Sequence, residues 1–207
     1  MMKVLFVAAT QPEIAALLPL FESKNIDFIC TGVGMLATSH ALTKQLTTNT
    51  YDLIVNIGIA GILDPKTTLG HVYQITDDCI YELGAEDHQQ FITIEDLGFG
   101  TSRFAQKLPE IRINYPSVPT IHGITVNKVH GAKQSISRLK SQYPSLNLLE
   151  SMEGAAVFMV AQQEGIPVLQ FRSSSNYIEP RNREAWQIGT ALKNLHLFIE
   201  KFVASLG

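Results

Sequence analysis

Charge is in short supply in this sequence. Only 17% of its 207 residues are Asp, Glu, Lys or Arg, and the net charge is -3. No basic stripe runs along it, so the electrostatic footprint of a nucleic-acid binder is missing and no nucleic-acid partner is expected. Cysteine is scarce too. Cys30 and Cys79 stand far apart and outside any C-x-x-C pair, which excludes a disulfide scaffold and suits a reducing, cytoplasmic setting. No apolar run reaches the roughly 20 residues of a membrane helix, so no membrane partner is expected. The apolar opening Lys3–Ala9 is interrupted by Gln11, Pro12 and Glu13 without a small-residue cleavage site, and reads as a strand rather than a signal peptide. His40, His71, His88, His122, His130 and His196 show no metal-ligand spacing and read as surface or core-edge residues. Aromatic residues, 8% of the chain, form no stacking platform. Neither a metal nor another cofactor is expected.

Hydrophobic residues make up 45% of the chain, enough to offset the cost of ordering it. Length, the absence of repeats and the absence of a linker predict a single domain over residues 1–207. The low charge suits a surface partly covered by further copies, so a homo-oligomer is expected.

Apolar runs of strand length alternate with helical periodicity, which predicts an α/β fold with a mostly parallel sheet. Strands are expected at Lys3–Ala9, Ile26–Cys30, Asp52–Ile57, Gly70–Thr76, Thr120–Val126, Asn147–Glu150 and Val168–Phe171. Helices are expected from Thr10 to Asn25, over 36–46, 133–142 and 155–163, and over about 184–202. Gly58-Ile59-Ala60-Gly61 reads as a compact turn after its strand. The stretch 77–118 has little periodicity; a short strand near Phe91–Ile94 and a short helix near Arg103–Leu108 are expected within it.

Ligands of such sheets collect past the carboxyl ends of the strands. The polar groups there are Glu13, Thr31–Gly34, Gly58–Gly61, Met152–Glu153 and Arg172–Asn176. Glu13 is either a general acid or base or a carboxylate favoured by a helix N-terminus. Glu153 is either a functional carboxylate or a helix cap. Gly32 and Gly34 can cradle an anion, but the G-x-G-x-x-G fingerprint is incomplete. Ser173–Ser175 offer hydroxyls but lack the G-x-S-x-G elbow of a serine nucleophile.

Three stretches together go further. Val7-Ala8-Ala9-Thr10-Gln11-Pro12-Glu13, Asn56-Ile57-Gly58-Ile59-Ala60-Gly61, and Ser151-Met152-Glu153-Gly154-Ala155-Ala156 with Phe171–Asn182 resemble the nucleoside phosphorylase and nucleosidase superfamily. The resemblance covers nearly the whole chain. It implies a three-layer αβα sandwich around a mostly parallel or mixed twisted sheet. It implies cleavage of the N-glycosidic bond of a small purine nucleoside, here one of menaquinone biosynthesis with hypoxanthine as its base. Catalytic roles fall to Glu13, which activates the attacking water, to Glu153, which holds the ribose hydroxyls, and to Asn176, which touches the purine at N7. Met152 packs on the sugar, Val126, Asn127, Lys128 and Val129 line the base, and Gly58, Ile59, Ala60 and Ser175 complete the substrate-binding set. Superfamily members bring part of the pocket from a neighbouring subunit, which would make 77–118 a contributor.

Adenine-cleaving relatives carry aspartate where Asn176 stands. An asparagine can donate to a 6-oxo group and accept from a protonated N7, so it favours a 6-oxopurine. Phosphate as nucleophile needs several donors, usually arginines, and no arginine precedes Arg103. Hydrolysis is therefore expected. An inosine-type phosphorylase and a non-catalytic nucleotide-binding module are the alternatives.

Overall fold

The computed structural model describes residues 2–144 and 147–206. Its first strand, β1 (Val4–Ala8), is buried throughout. Val4, Phe6 and Ala8 face one apolar cluster, and Leu5 and Val7 face another. A strand covered on both faces needs no polar alternation, which is why this run has none. The chain then forms α1 (Gln11–Ile14), a 3-10 turn (Ala15–Leu17) and α2 (Leu18–Lys24). The one helix expected here is thus in three pieces. Pro19, in the first turn of α2, has no N–H with which to extend a preceding helix. Asn25 ends the segment as expected, in the left-handed conformation at φ 52°.

β2 (Asp27–Cys30) and α3 (Met35–Leu46) lead to β3 (Leu53–Ile62). Then come β4 (Val72–Ile80), the hairpin β5 (Gly84–Asp87) and β6 (Gln90–Thr93), β7 (Arg103–Ala105) and β8 (Thr120–Thr125). The chain finishes with α4 (Lys133–Gln142), β9 (Leu148–Ser151), α5 (Gly154–Gln163), β10 (Val168–Tyr177) and α6 (Ile188–Ala204).

The main sheet is mixed. β3 pairs parallel with β10, β10 antiparallel with β4, β4 parallel with β8, β8 parallel with β9, and β9 antiparallel with β3. These strands close a ring, and β1 and β2 extend it from one edge of β3. Helices cover both faces. Ile14, Leu17, Phe21, Leu195, Ile199 and Phe202 pack on one, while Leu42 from α3 and Ala155, Phe158 and Val160 from α5 pack on the other. The expected three layers are present. Among the described residues, no helix is long and apolar enough to cross a membrane.

Several expectations need correction. Gly58–Gly61 is not a turn but the carboxyl half of β3. A Cβ at Gly58 would collide with the Arg172 guanidinium and come within 2.7 Å of Glu13 Oε1, so the small residue makes room for side chains arriving from elsewhere. Residues 103–105 form a strand, not a helix. Phe104 alone is buried there, and the segment pairs antiparallel with β4. β10 continues through Arg172–Asn176, because Arg172, Ser173 and Ser174 pair with Gly58, Ile59 and Ala60 and, past a bulge at Ser175, Asn176 pairs with Gly61. The last helix starts later than expected, after a 3-10 turn at Arg183–Ala185.

One arrangement positions everything that follows. β1 runs alongside β3 as far as the pair Val7–Asn56. β9 runs alongside the same edge from the opposite direction, as far as the pair Gly61–Glu150. Their carboxyl ends therefore meet head to head opposite the middle of β3.

Candidate active site

Glu13 leaves the end of β1 in the first turn of α1, and Glu153 leaves the end of β9 at the start of α5. Both side chains are buried. Glu13 Oε2 accepts the Thr10 N–H and the Thr10 hydroxyl, each at 2.9 Å. Its Oε1 accepts the Ile59 N–H at 3.0 Å. So Glu13 closes back on its own helix start, as a first-turn carboxylate does, and is also fixed on β3. The two readings of this residue are compatible in one geometry.

Glu153 occupies the N-cap position of α5 without capping it. Its Oε1 accepts the Gly34 N–H at 3.0 Å and its Oε2 accepts the Met152 N–H at 3.3 Å. The anion cradled by the Gly32–Gly34 loop is thus the protein's own carboxylate. Gly32 and Gly34 sit at φ 84° and 98°, conformations open to glycine at little cost.

Between the carboxylates lies Arg172, fully buried. Its Nη2 donates to Asn56 Oδ1 at 2.7 Å, and its Nη1 lies 3.7 Å from Glu153 Oε2. Asn56 is held in turn by donating to the Val7 carbonyl at 3.0 Å. A buried guanidinium among carboxylates balances charge that would otherwise be costly to desolvate.

Asn176 lies across β3 from the carboxylates, paired with Gly61 after a bulge in β10. Its Nδ2 donates to the Tyr177 carbonyl at 3.1 Å, and its Oδ1 accepts the Ser175 hydroxyl at 2.8 Å. That hydroxyl also lies 3.2 Å from the Ala60 carbonyl. Gly61 has no side chain in a place where a Cβ would press on Asn176 Nδ2 at 3.1 Å and on Ile178 at 3.3 Å.

Of the sequence-predicted positions, Glu13, Gly58, Ile59, Ala60, Glu153, Ser175 and Asn176 come together around the carboxyl half of β3. Met152 packs with Val126 and Ile178 in one apolar cluster beside them. Asn127, Lys128 and Val129 are exposed and share no hydrogen bond with the carboxylates among the described residues. They line, with Val126, Tyr81, His130 and Arg181, a cavity of about 670 Å³. A backbone bond from the Arg181 N–H to the Gly131 carbonyl ties the chain beyond Asn176 to this segment.

Sequence reasoning missed several groups. Arg172, whose strand-end position suits a structural ion pair, makes one with Glu153, whereas Asn56 enters the sequence reading only within a family-like stretch and Gln170 not at all. Their signal is a polar residue inside an otherwise apolar strand, since buried polar groups are there for partners. His130 is the core-edge case of the two readings: its side chain is 6% exposed and its ring pairs with buried Glu150, which also accepts the His130 N–H at 3.1 Å. Asp78 is buried and invisible as a site residue in sequence.

The fold and these groups describe a class that comparison with known proteins identifies. The model of the phosphorylase superfamily matches residues 20–204. A futalosine hydrolase of Streptomyces coelicolor is 35% identical over 176 residues, spanning 82% of this chain and 74% of that protein. A second, of Acidothermus cellulolyticus, is 32% identical over 187 residues, spanning 86% and 75%. The native structure of futalosine hydrolase from Helicobacter pylori has the same fold, with a TM-score of 0.80, 15% identity, and coverage of 98% of this chain and 97% of that one. The chain belongs to the phosphorylase superfamily and, within it, to the futalosine hydrolase family.

Proposed function

We propose that this protein hydrolyses the N-glycosidic bond of futalosine, releasing hypoxanthine and dehypoxanthinyl futalosine, as a step of menaquinone biosynthesis. The observation that carries the proposal is the convergence of Glu13 and Glu153 on the middle of β3 from the ends of two strands, across from Asn176. Cleavage of this bond builds positive charge on the ribose and negative charge on the base. Two buried carboxylates beside the sugar stabilise the first more in the transition state than in the ground state. Glu13 takes the water side. Three donors fix its orientation, and a remaining lone pair can accept a proton from water held about 3–3.5 Å from the anomeric carbon. Glu153 takes the ribose hydroxyls, with Met152 on the sugar.

Asn176 takes the base. Its amide has two hydrogens and its oxygen two lone pairs. With Tyr177 and Ser175 each using one, a donor and an acceptor remain. Hypoxanthine asks for that pair: a donor to O6 and an acceptor for a protonated N7. Ser175 fixes the amide through its hydroxyl, and Gly58, Ile59 and Ala60 form the floor. Val126, Asn127, Lys128 and Val129 form the wall of the base pocket.

Water is favoured over phosphate as nucleophile because nearby donors are already engaged. The Gly34 N–H serves Glu153, and Arg172 serves Asn56 and Glu153. The same reading includes a cytoplasmic location and a homo-oligomer. Val33 and Leu36, which flank the Gly34 loop, are 56% and 88% exposed, a surface suited to a second copy.

The test supplies futalosine, inosine and methylthioadenosine in phosphate-free buffer and measures release of free base. Hypoxanthine should appear from futalosine. No hypoxanthine, a requirement for phosphate, or equal turnover of methylthioadenosine would overturn the proposal.

A further inference from the structure

A helix N-terminus leaves its first N–H groups without partners inside the helix, and the N-cap side chain usually takes one of them. At α5 the N-cap residue is Glu153, and its carboxylate is turned away toward Gly34 and Arg172. The orphan N–H groups are met by other residues. The Gly154 N–H donates to Ser151 Oγ at 3.2 Å, and the Ala155 N–H donates to Thr125 Oγ1 at 2.8 Å.

Thr125 is fully buried, and its hydroxyl has one hydrogen. That hydrogen is donated to Asp78 Oδ1 at 2.8 Å, which turns an oxygen lone pair toward Ala155. The second carboxylate oxygen of Asp78 accepts from Gln170 Nε2 at 3.1 Å. Asp78 and Gln170 are each 1% exposed. Gly154 lies directly over them: a Cβ there would fall on Asp78 Oδ2 and 2.5 Å from Gln170 Nε2. Asp78, Thr125 and Gln170 come from β4, β8 and β10, which are fixed by the closed ring of strands.

We infer that Asp78, acting through Thr125, is a positioning residue for Glu153: it makes Thr125 a surrogate cap for α5, which frees the Glu153 carboxylate to face the ribose. Asp78 touches no reacting atom in this arrangement. It sets which way one hydroxyl rotor points, and that rotor holds the turn from which Glu153 projects. The inference rests on the proposed role of Glu153 as ribose clamp.

The consequence is selective. Loss of the surrogate cap weakens the grip on the ribose hydroxyls and leaves the base contacts intact. Thr125→Val keeps the shape and removes the hydroxyl. Its kcat/KM should fall about tenfold on futalosine but less than about twofold on the 2′-deoxy analogue, relative to the unaltered enzyme on each substrate. Asp78→Ala should behave the same way. Asp78→Asn, which keeps an oxygen to accept from Thr125, should restore the ribose preference. An equal fall on both substrates would mean that the network merely supports the fold, and no fall would mean that Thr125 does not set Glu153; either overturns the inference. Amide hydrogen exchange at Ala155 reads the cap without turnover. It should be faster in Thr125→Val and close to the original rate in Asp78→Asn, and unchanged exchange in Thr125→Val would also overturn the inference. If the unaltered chain fails to release hypoxanthine from futalosine, the proposed function fails while the exchange result still decides the cap.

Discussion

The starts of α1 and α5 present the same ingredients and use them differently. Each follows a strand that ends opposite the middle of β3, and each carries a glutamate in or before its first turn. At α1, Glu13 gives one oxygen to Thr10, within its own helix start, and the other to Ile59 on β3. At α5, the Glu153 carboxylate gives nothing to its own helix; Ser151 and Thr125 take the first N–H groups instead. A glutamate at a helix start is therefore not informative by position. What matters is which group takes the orphan N–H groups. A carboxylate relieved of that duty is available to a ligand, and one that shares it is held more rigidly.

The sharpest way to separate the two glutamates is kinetic. Glu13→Gln should lower kcat on futalosine by about 10³-fold, the scale of losing a general base, with KM little changed. Glu153→Gln should raise KM as well as lower kcat, because Glu153 holds the ribose in both the ground and the transition state. The opposite pattern would exchange their roles. A smaller effect is expected where the two regions share a support. Gly58→Ala inserts a methyl group against both Arg172 and Glu13. Displacing these side chains by about 1 Å should cost about 10²-fold in kcat, and the overpacking should cost about 1–3 kcal/mol in a denaturant titration. A stable and fully active variant would show that the close approach at Gly58 is not part of the site.

The α5 side also carries a pH signature of its own. Burial pushes the Asp78 carboxyl from 3.8 up to about 6, with Asp77 adding to the rise and Thr125, Gln170 and Arg172 opposing it. The folded chain then binds this proton more tightly than the unfolded chain. The associated stability is present below about pH 4 and is lost as pH rises through about 6. Asp78→Asn removes that loss. Its stability relative to the unaltered chain should improve by about 2–3 kcal/mol between pH 4 and pH 7, measured by denaturant midpoints at each pH. A flat difference would show that Asp78 does not titrate in this window. The smallest effect belongs to α1. Thr10→Ala deletes one of the three bonds that orient Glu13, and should cost about 1 kcal/mol of stability, read as a lowered midpoint.

How much of this was legible before the structure depends on what each residue faces. β1 and α5 were readable because both are buried by apolar neighbours, and their composition says so. The carboxyl half of β3 was misread as a turn. Its Gly58, Ala60 and Gly61 are small because Arg172, Glu13 and Asn176 cross over them, and single-chain periodicity carries no trace of distant side chains. The strand through Arg172–Asn176 was cut short for the related reason that its polar residues are buried by one another and by β3. β5 is fully exposed and has no apolar face from which a period could be read, whereas its partner β6, half of it partly buried, was expected near Phe91–Ile94 and lies at Gln90–Thr93. Glu13, Glu153 and Asn176 stand out as polar groups at strand ends and take their roles from the family resemblance, whereas Asp78 and Thr125 needed the pairing of β4 and β8 under α5.

The head-to-head meeting of β1 and β9 has a bearing on how the protein becomes active. Glu153 reaches Gly34 across a sequence separation of 119 residues, and Arg172 reaches Asn56 across 116. Such contacts form only after a large loop has been closed, which makes them slow relative to local helix formation. During synthesis the amino-terminal strands and helices can assemble while the site is still in pieces. Catalytic competence is therefore a late event in folding, and recovery of turnover after denaturation should trail recovery of helical structure.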